Sequence, residues 1–366
     1  MISEEIFGAP MTDGENKGIG SSLPTGHEKD LHRIRETLPV EQVGNEVLWV
    51  NPNINAPLKL KEGEESPLGV FLSPTDGKNI EVFDRHKRSA LAGRVIFCDQ
   101  NGNTYRDIGV KGVGYINFDA QRRPSQANLE RYKKQKLDMA LGLEILTDAE
   151  HDRDIGEVFV KAGIRCDRTI AIIKFVEYID KDAHRHAIDE LREAGILLKD
   201  ETPVASVRAF GVNARVNEGG DLKKLNYAYQ DARQMVAQEL GKPPEEFGWH
   251  KYAQWFAETL GKNIGRMLKL GYTHGNLLPA DSAPYNVTLD CRIVDKDTVK
   301  HYDDAIPEIQ IDFDKISAHV IINTLCQQLN TITDMKEGEF EYWSLYKVFN
   351  DAYDEELKAS RGDLHT

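Results

Sequence analysis

Apolar positions change period part-way along the chain. From about residue 46 to residue 176 they come in short runs bounded by turn residues, as at 47–50, 68–72 and 169–176, which predicts strands. The clearest pair is 94–98 and 104–108, separated by Asp99-Gln100-Asn101-Gly102-Asn103. An Asn-Gly turn between two such runs predicts a β-hairpin. A helix is expected at about 126–142.

Beyond Asp180 the spacing becomes helical. Residues 184–194 read as a short charged helix, and 222–240 as an amphipathic one stopped by Gly241 and Pro243-Pro244. Tyr252, Trp255, Phe256, Leu260, Ile264, Met267 and Leu268 then fall on one face of a long helix ending at Gly271, and 314–329 repeats the pattern. The first 45 residues are polar and glycine-rich, with turn signals at Asp13-Gly14 and Pro24-Thr25-Gly26, and read as an irregular arm. Within it, residues 17–22 lack the preceding strand and the Gly-Lys-Ser/Thr ending of a phosphate loop, so they read as plain loop. The expected organisation is an arm over 1–45, a β-rich lobe over 46–218 and a helical lobe over 219–366. Strands first and helices later, without repeats, suit an α+β chain with two unlike lobes.

A chain of 366 residues exceeds one comfortable core, which agrees with two lobes. The formal net charge of −14 argues against nucleic acid or an anionic membrane as a partner, since both need a basic footprint. No stretch approaches the roughly 18 apolar residues of a membrane helix. Neither a basic start nor an apolar segment follows Met1, so no secretory signal is expected. Cys98, Cys166, Cys291 and Cys326 are scattered without a CxxC pair, which suits a reducing compartment. The expected location is cytoplasmic.

Candidate chemistry concentrates after the long helix. Tyr272-Thr273-His274-Gly275-Asn276 leads into a loop with Pro279, Asp281 and Pro284. Residues 286–295 then read as a tight hairpin turning at Asp290-Cys291, opened by Asn286 and closed by Asp295. A hairpin brings its ends together, so the Asn286 amide oxygen and the Asp295 carboxylate converge, and such an oxygen pair suits Mg²⁺. The plain alternative is a turn with a surface Asn and Asp. His184 and His186, with Glu190 one turn later, read as a solvated helix rather than half a metal site.

Here the chain resembles the selenoprotein-O family of kinase-like protein adenylyltransferases, as a divergent member. That family has a long helix ending in aromatic-x-His-Gly, and a metal-binding Asn nine positions before a metal-binding Asp, the spacing of Asn286 and Asp295. Its Lys-Gly-x-Gly strand end, whose lysine contacts ATP phosphates, is matched by Lys111-Gly112-Val113-Gly114. Its two nucleotide-contacting arginines, seven residues apart, are matched by Arg208 and Arg215. A helix glutamate pairs with the lysine in the family, and Glu130 is the nearest candidate here. The resemblance implies a protein-kinase-like two-lobe fold, ATP and Mg²⁺ as cofactors, and transfer of AMP to hydroxyl groups of a protein substrate. Where the family carries an Asp as base, before the metal Asn, this chain has Tyr285; Asp281 is the candidate replacement. γ-Phosphoryl transfer, or nucleotide binding by a catalytically inactive scaffold, are the alternatives.

Overall fold

The computed structural model describes residues 35–72, 78–83, 89–113, 143–179, 184–193, 197–218, 222–279, 284–302, 308–336 and 338–362. It divides into two compact units, Met1–His151 with Thr169–Phe210, and Asp152–Arg168 with Gly211–Thr366.

The first unit is built on antiparallel strands: β1 (Arg35–Gln42), β2 (Asn45–Val50), β3 (Val70–Leu72), β4 (Lys78–Phe83), β5 (Ser89–Cys98), β6 (Thr104–Lys111), β7 (Glu144–Ile145), β8 (Arg168–Phe175), β9 (Glu177–Ile179), β10 (Arg185–Ala187) and β11 (Pro203–Phe210). Among the described residues nine of these form one sheet, ordered β2-β8-β11-β6-β5-β4-β1-β3 with β7 also on β11; β9 and β10 pair separately. The predicted hairpin is β5–β6. Its turn is pinned by the Asp99 carboxylate, which accepts hydrogen bonds from the Asn101 and Asn103 backbone amides, each at 2.9 Å. Every residue of β6 and β11 is buried. Their apolar positions, Ile108, Val110, Ala205, Val207 and Ala209, join Val47, Ile170, Ile173 and Phe175 in one core.

The second unit is mainly helical. After α1 (Leu146–Lys161), which begins in the first unit, and the short α2 (Ile188–Glu193) within the first, come α3 (Leu222–Glu239) and α4 (Trp249–Lys269). Two-residue strands β12 (Tyr272–Thr273) and β13 (Lys300–His301) pair with each other, and α5 (Glu308–Thr333) and α6 (Tyr342–Gly362) follow. Along the α4 stripe Tyr252, Phe256, Leu260, Ile264 and Met267 are buried, while Trp255 and Leu268 are half-buried. No described helix is long and apolar enough to cross a membrane. The chain is therefore mixed α and β, with an antiparallel sheet in one unit and most helices in the other.

Two expectations are corrected. Residues 35–42, read as the end of an irregular arm, form β1, because they pair with β4 over Arg35↔Phe83 to Val40↔Lys78 and with β3. Residues 184–194, read as one helix, begin as β10, since Arg185–Ala187 pairs with Ile179–Glu177, and only Ile188–Glu193 is helical. The two units divide at Phe210/Gly211, and Asp152–Arg168 belongs to the second unit. Residues beyond Gly211 are drawn there by backbone bonds to the 285–289 segment. The loop at 17–22 and the helix at about 126–142 lie outside the described residues.

Candidate functional site

In the second unit the site starts where α4 ends. Asp314, a buried carboxylate on α5, accepts hydrogen bonds from Thr273 Oγ1 (2.8 Å), His274 N (2.6 Å) and Gly275 N (2.9 Å), which fixes the Thr-His-Gly backbone. The buried His274 ring has Nε2 2.9 Å from the Val294 carbonyl oxygen. A carbonyl only accepts, so Nε2 carries the proton. His274 thus ties this loop to the residue preceding Asp295.

Residues 286–294 form the expected tight turn-back. Val287 bridges Ile293 antiparallel, Thr288 N donates to Arg292 O (3.0 Å), and Val294 N donates to Asn286 O (3.1 Å). The reversal is closed by Cys291 N to Thr288 O at 2.8 Å, with Cys291 at φ 60. A third segment runs alongside, with Leu289 N on Ala214 O, Val216 N on Val287 O and Tyr285 N on Val216 O, and it carries Arg215 to Asn286.

There Arg215 Nη1 donates to Asn286 Oδ1 at 2.8 Å and to Asp295 Oδ2 at 3.2 Å. The Asn286 amide nitrogen donates to the Asn276 carbonyl (2.8 Å), so its oxygen is the atom turned toward Arg215. Asp295 sits at φ 55, ψ 53. This left-handed region is uncommon outside glycine, persists when its surroundings enforce it, and clusters at functional positions.

The next residue anchors the chain beside it. Lys296 is fully buried, its backbone amide donates to Asp152 Oδ1 (2.7 Å), and its ammonium lies 3.2 Å from Asp152 Oδ2 while also pairing with Asp167. Burial alone would pull its pKa down, but Asp152 and then Asp167 outweigh that and raise it above the ordinary lysine value. A second buried network supports the turn. Asp290 accepts from Thr288 Oγ1 (2.6 Å), Arg292 Nε (2.8 Å) and Arg165 Nη2 (3.3 Å), and Arg165 also forks onto Glu239 at 2.5 Å and 2.5 Å. The sequence carries no local signal for these groups, because the Lys296 partners lie 129 and 144 positions away.

In the first unit, the buried Lys111 at the end of β6 lies 3.2 Å from the buried Glu144 carboxylate on β7. Register explains the pairing. Ser206 lies opposite Lys111, Arg208 opposite Gly109, and Val204 opposite Glu144. Side chains alternate faces along a strand, so Lys111, Arg208 and Glu144 share one face of the sheet. The Arg208 guanidinium also lies over the Phe210 ring, 5.3 Å from its centroid. Gly112, at φ +89, is required by packing within the sheet: a Cβ there would fall 2.4 Å from the Val204 carbonyl oxygen.

Of the residues expected from sequence, Arg215, Asn286 and Asp295 are brought together, and Lys111 and Arg208 share a sheet face. Gly114, Glu130 and Asp281 lie outside the described residues. Glu144, which no sequence pattern marked, holds Lys111. Tyr285 places its hydroxyl 3.3 Å from Thr324 Oγ1. Among the described residues no cluster of three or more His, Cys, Asp or Glu is placed to hold a metal ion. The Asn286–Asp295 pair nevertheless offers one amide and one carboxylate oxygen facing a common cation, here the Arg215 guanidinium. Two hard oxygens, completed by water and phosphate, are a donor set that Mg²⁺ accepts.

No family model and no curated protein matches the chain. Among solved structures it is similar to the kinase domain of a Toxoplasma gondii specific rhoptry antigen, with 9% identity and a TM-score of 0.33, over 79% of this chain and 85% of that one. A likeness that remote carries no argument about activity, so function is argued from the residues.

Proposed function

We propose that the chain binds ATP with Mg²⁺ in the manner of a kinase-like enzyme and transfers AMP to protein hydroxyl groups. The observation that carries this reading is the meeting of the Asn286 and Asp295 side-chain oxygens on one cation, Arg215 Nη1, at 2.8 and 3.2 Å. In this reading Asn286 and Asp295 hold the metal, which, when bound, neutralises phosphate charge. Arg215 is assigned to the phosphate oxygens, its guanidinium fork suited to them, and Lys111 and Arg208 offer the same chemistry on the sheet of the first unit. Gly112 shapes the strand end that carries the lysine. Glu144 orients Lys111 in this reading; Glu130, the sequence candidate, lies outside the described residues.

The acceptor hydroxyl oxygen bonds to the α-phosphorus, the bond from that phosphorus to the β-phosphate oxygen breaks, and pyrophosphate leaves. The hydroxyl proton passes to a base, for which Asp281 is proposed. Catalysis then comes mainly from positioning and charge stabilisation.

A second reading is favoured by one observation. Tyr285 stands where the family resemblance expects the base, and its hydroxyl meets Thr324. That suits a nucleotide-binding protein without turnover. Incubation with α-labelled and γ-labelled ATP and a range of protein acceptors separates these readings. Label transferred from the α form alone supports AMP transfer. Label from the γ form alone replaces it with phosphoryl transfer. Binding without transfer from either leaves the non-catalytic reading.

A further inference from the structure

Arg215 makes a demand on the metal that the proposed function does not by itself contain. Its Nη1 already donates to both oxygens assigned to the metal, and its side chain is 4% exposed. The Asn286 oxygen is not placed to turn away. Asn286 is held through its amide nitrogen by the Asn276 carbonyl, and Asp295 is held in a left-handed conformation next to the Lys296–Asp152–Asp167 network. Beyond those two bonds, Arg215 is held among the described residues at its backbone, where its N–H meets the Glu218 carboxylate and its peptide bridges Thr288. The long arginine side chain is therefore the part able to move.

We propose that Arg215 is a built-in competitor for the divalent cation, so that Asn286 and Asp295 take metal together with a phosphate chain and not alone. The inference rests on the metal reading of that pair. Its basis is charge. The pair carries a single negative charge, from Asp295, and Arg215 balances it. A divalent ion entering alone displaces the guanidinium from its acceptors, and the two cations compete for the Asp295 carboxylate. A triphosphate reverses that balance and offers the displaced guanidinium new oxygen acceptors, to which it bonds in forked geometry. Metal and nucleotide are then positively coupled, and the coupling is reciprocal.

The test uses the full chain and Mn²⁺, whose free ion is counted by electron paramagnetic resonance. Without nucleotide the native chain is expected to bind Mn²⁺ weakly, and a non-hydrolysable ATP analogue to tighten that binding at least about tenfold, or about 1.4 kcal/mol. Arg215→Gln is expected to tighten nucleotide-free Mn²⁺ binding by a similar factor, and Asp295→Asn in that background to remove the gain. Nucleotide-free binding no tighter in a folded Arg215→Gln overturns the proposal. So does a native chain that binds Mn²⁺ equally well with and without the analogue, a comparison that needs no variant. If Asp295→Asn leaves Mn²⁺ binding unchanged even with the analogue, the metal reading fails and this inference fails with it. Failure of the competition alone instead leaves Asp295-dependent binding of Mn²⁺ with the analogue intact.

Discussion

Arg215 Nη1 lies 2.8 Å from Asn286 Oδ1 and 3.2 Å from Asp295 Oδ2, joining residues 71 and 80 positions away in the chain. Neither residue is adjacent to the other in sequence, and the contact exists because the 286–294 turn-back returns the chain beside the 214–216 segment. One cation therefore reports that the two oxygens face a common point.

The buried Lys296 supports that point from beneath. Lys296→Met would leave Asp152 and Asp167 as buried carboxylates without their ammonium, a class of change that costs about 3–5 kcal/mol. Urea unfolding is expected to show a loss of that order; a loss below about 1 kcal/mol would contradict the role given to it. The raised lysine pKa also fixes a sign. The stabilisation is complete below the ordinary lysine value of about 10.4 and is lost as pH rises toward the folded value. Native stability should thus fall above about pH 10, and the variant's should fall less steeply.

Much of this was legible in the sequence where the signal is local. The Asn-Gly turn marks β5–β6, the apolar stripe marks α4, and the Asn286-to-Asp295 spacing marks the turn-back. What was not legible depends on distant partners. β1 has little apolar character of its own and is a strand because β4 and β3 pair with it. Two-residue β7 is too short to show a period, so Glu144 passed unseen. The Lys296 and Arg165 networks join residues that no window along the chain brings together.

Gly112 should be irreplaceable for packing as well as for conformation. Gly112→Ala combines a φ of +89 with a Cβ 2.4 Å from the Val204 carbonyl. Gly102→Ala shares a positive φ of +81 but meets nothing within 4 Å. Overpacking typically costs about 1–3 kcal/mol, so Gly112→Ala should exceed Gly102→Ala by that margin in denaturant unfolding. Equal losses would show that conformation alone matters.

The thiols divide by exposure. Burial pushes the Cys166 thiol up to about 12 and Cys326 to about 11, and raises Cys291 as well, whereas Cys98 is exposed. Since the thiolate is the reactive form, iodoacetamide at about pH 8 should label Cys98 rapidly and the other three only in denaturant. Rapid native labelling of Cys291 would contradict the packing of the 286–294 turn.

The Lys111–Glu144 pair predicts a nucleotide effect. If Lys111 contacts phosphate, Lys111→Met should weaken ATP binding by roughly 1.5–3 kcal/mol, the value of a hydrogen bond to a charged group. Glu144→Gln, which keeps the shape and removes the orienting charge, should weaken it less. Unchanged affinity in both folded variants would remove this face of the sheet from nucleotide binding.

The most direct measurement is calorimetric titration of ATP, with and without Mg²⁺, into the native chain and Asp295→Asn. Asparagine tolerates the left-handed backbone that Asp295 adopts, so the substitution tests charge and not conformation. The native chain should bind ATP in a Mg²⁺-dependent way, and a folded Asp295→Asn should lose at least roughly 1.5 kcal/mol of that binding. Equal Mg²⁺-dependent affinity in the two, or no ATP binding by the native chain, would contradict the assignment of Asn286 and Asp295 as its metal site.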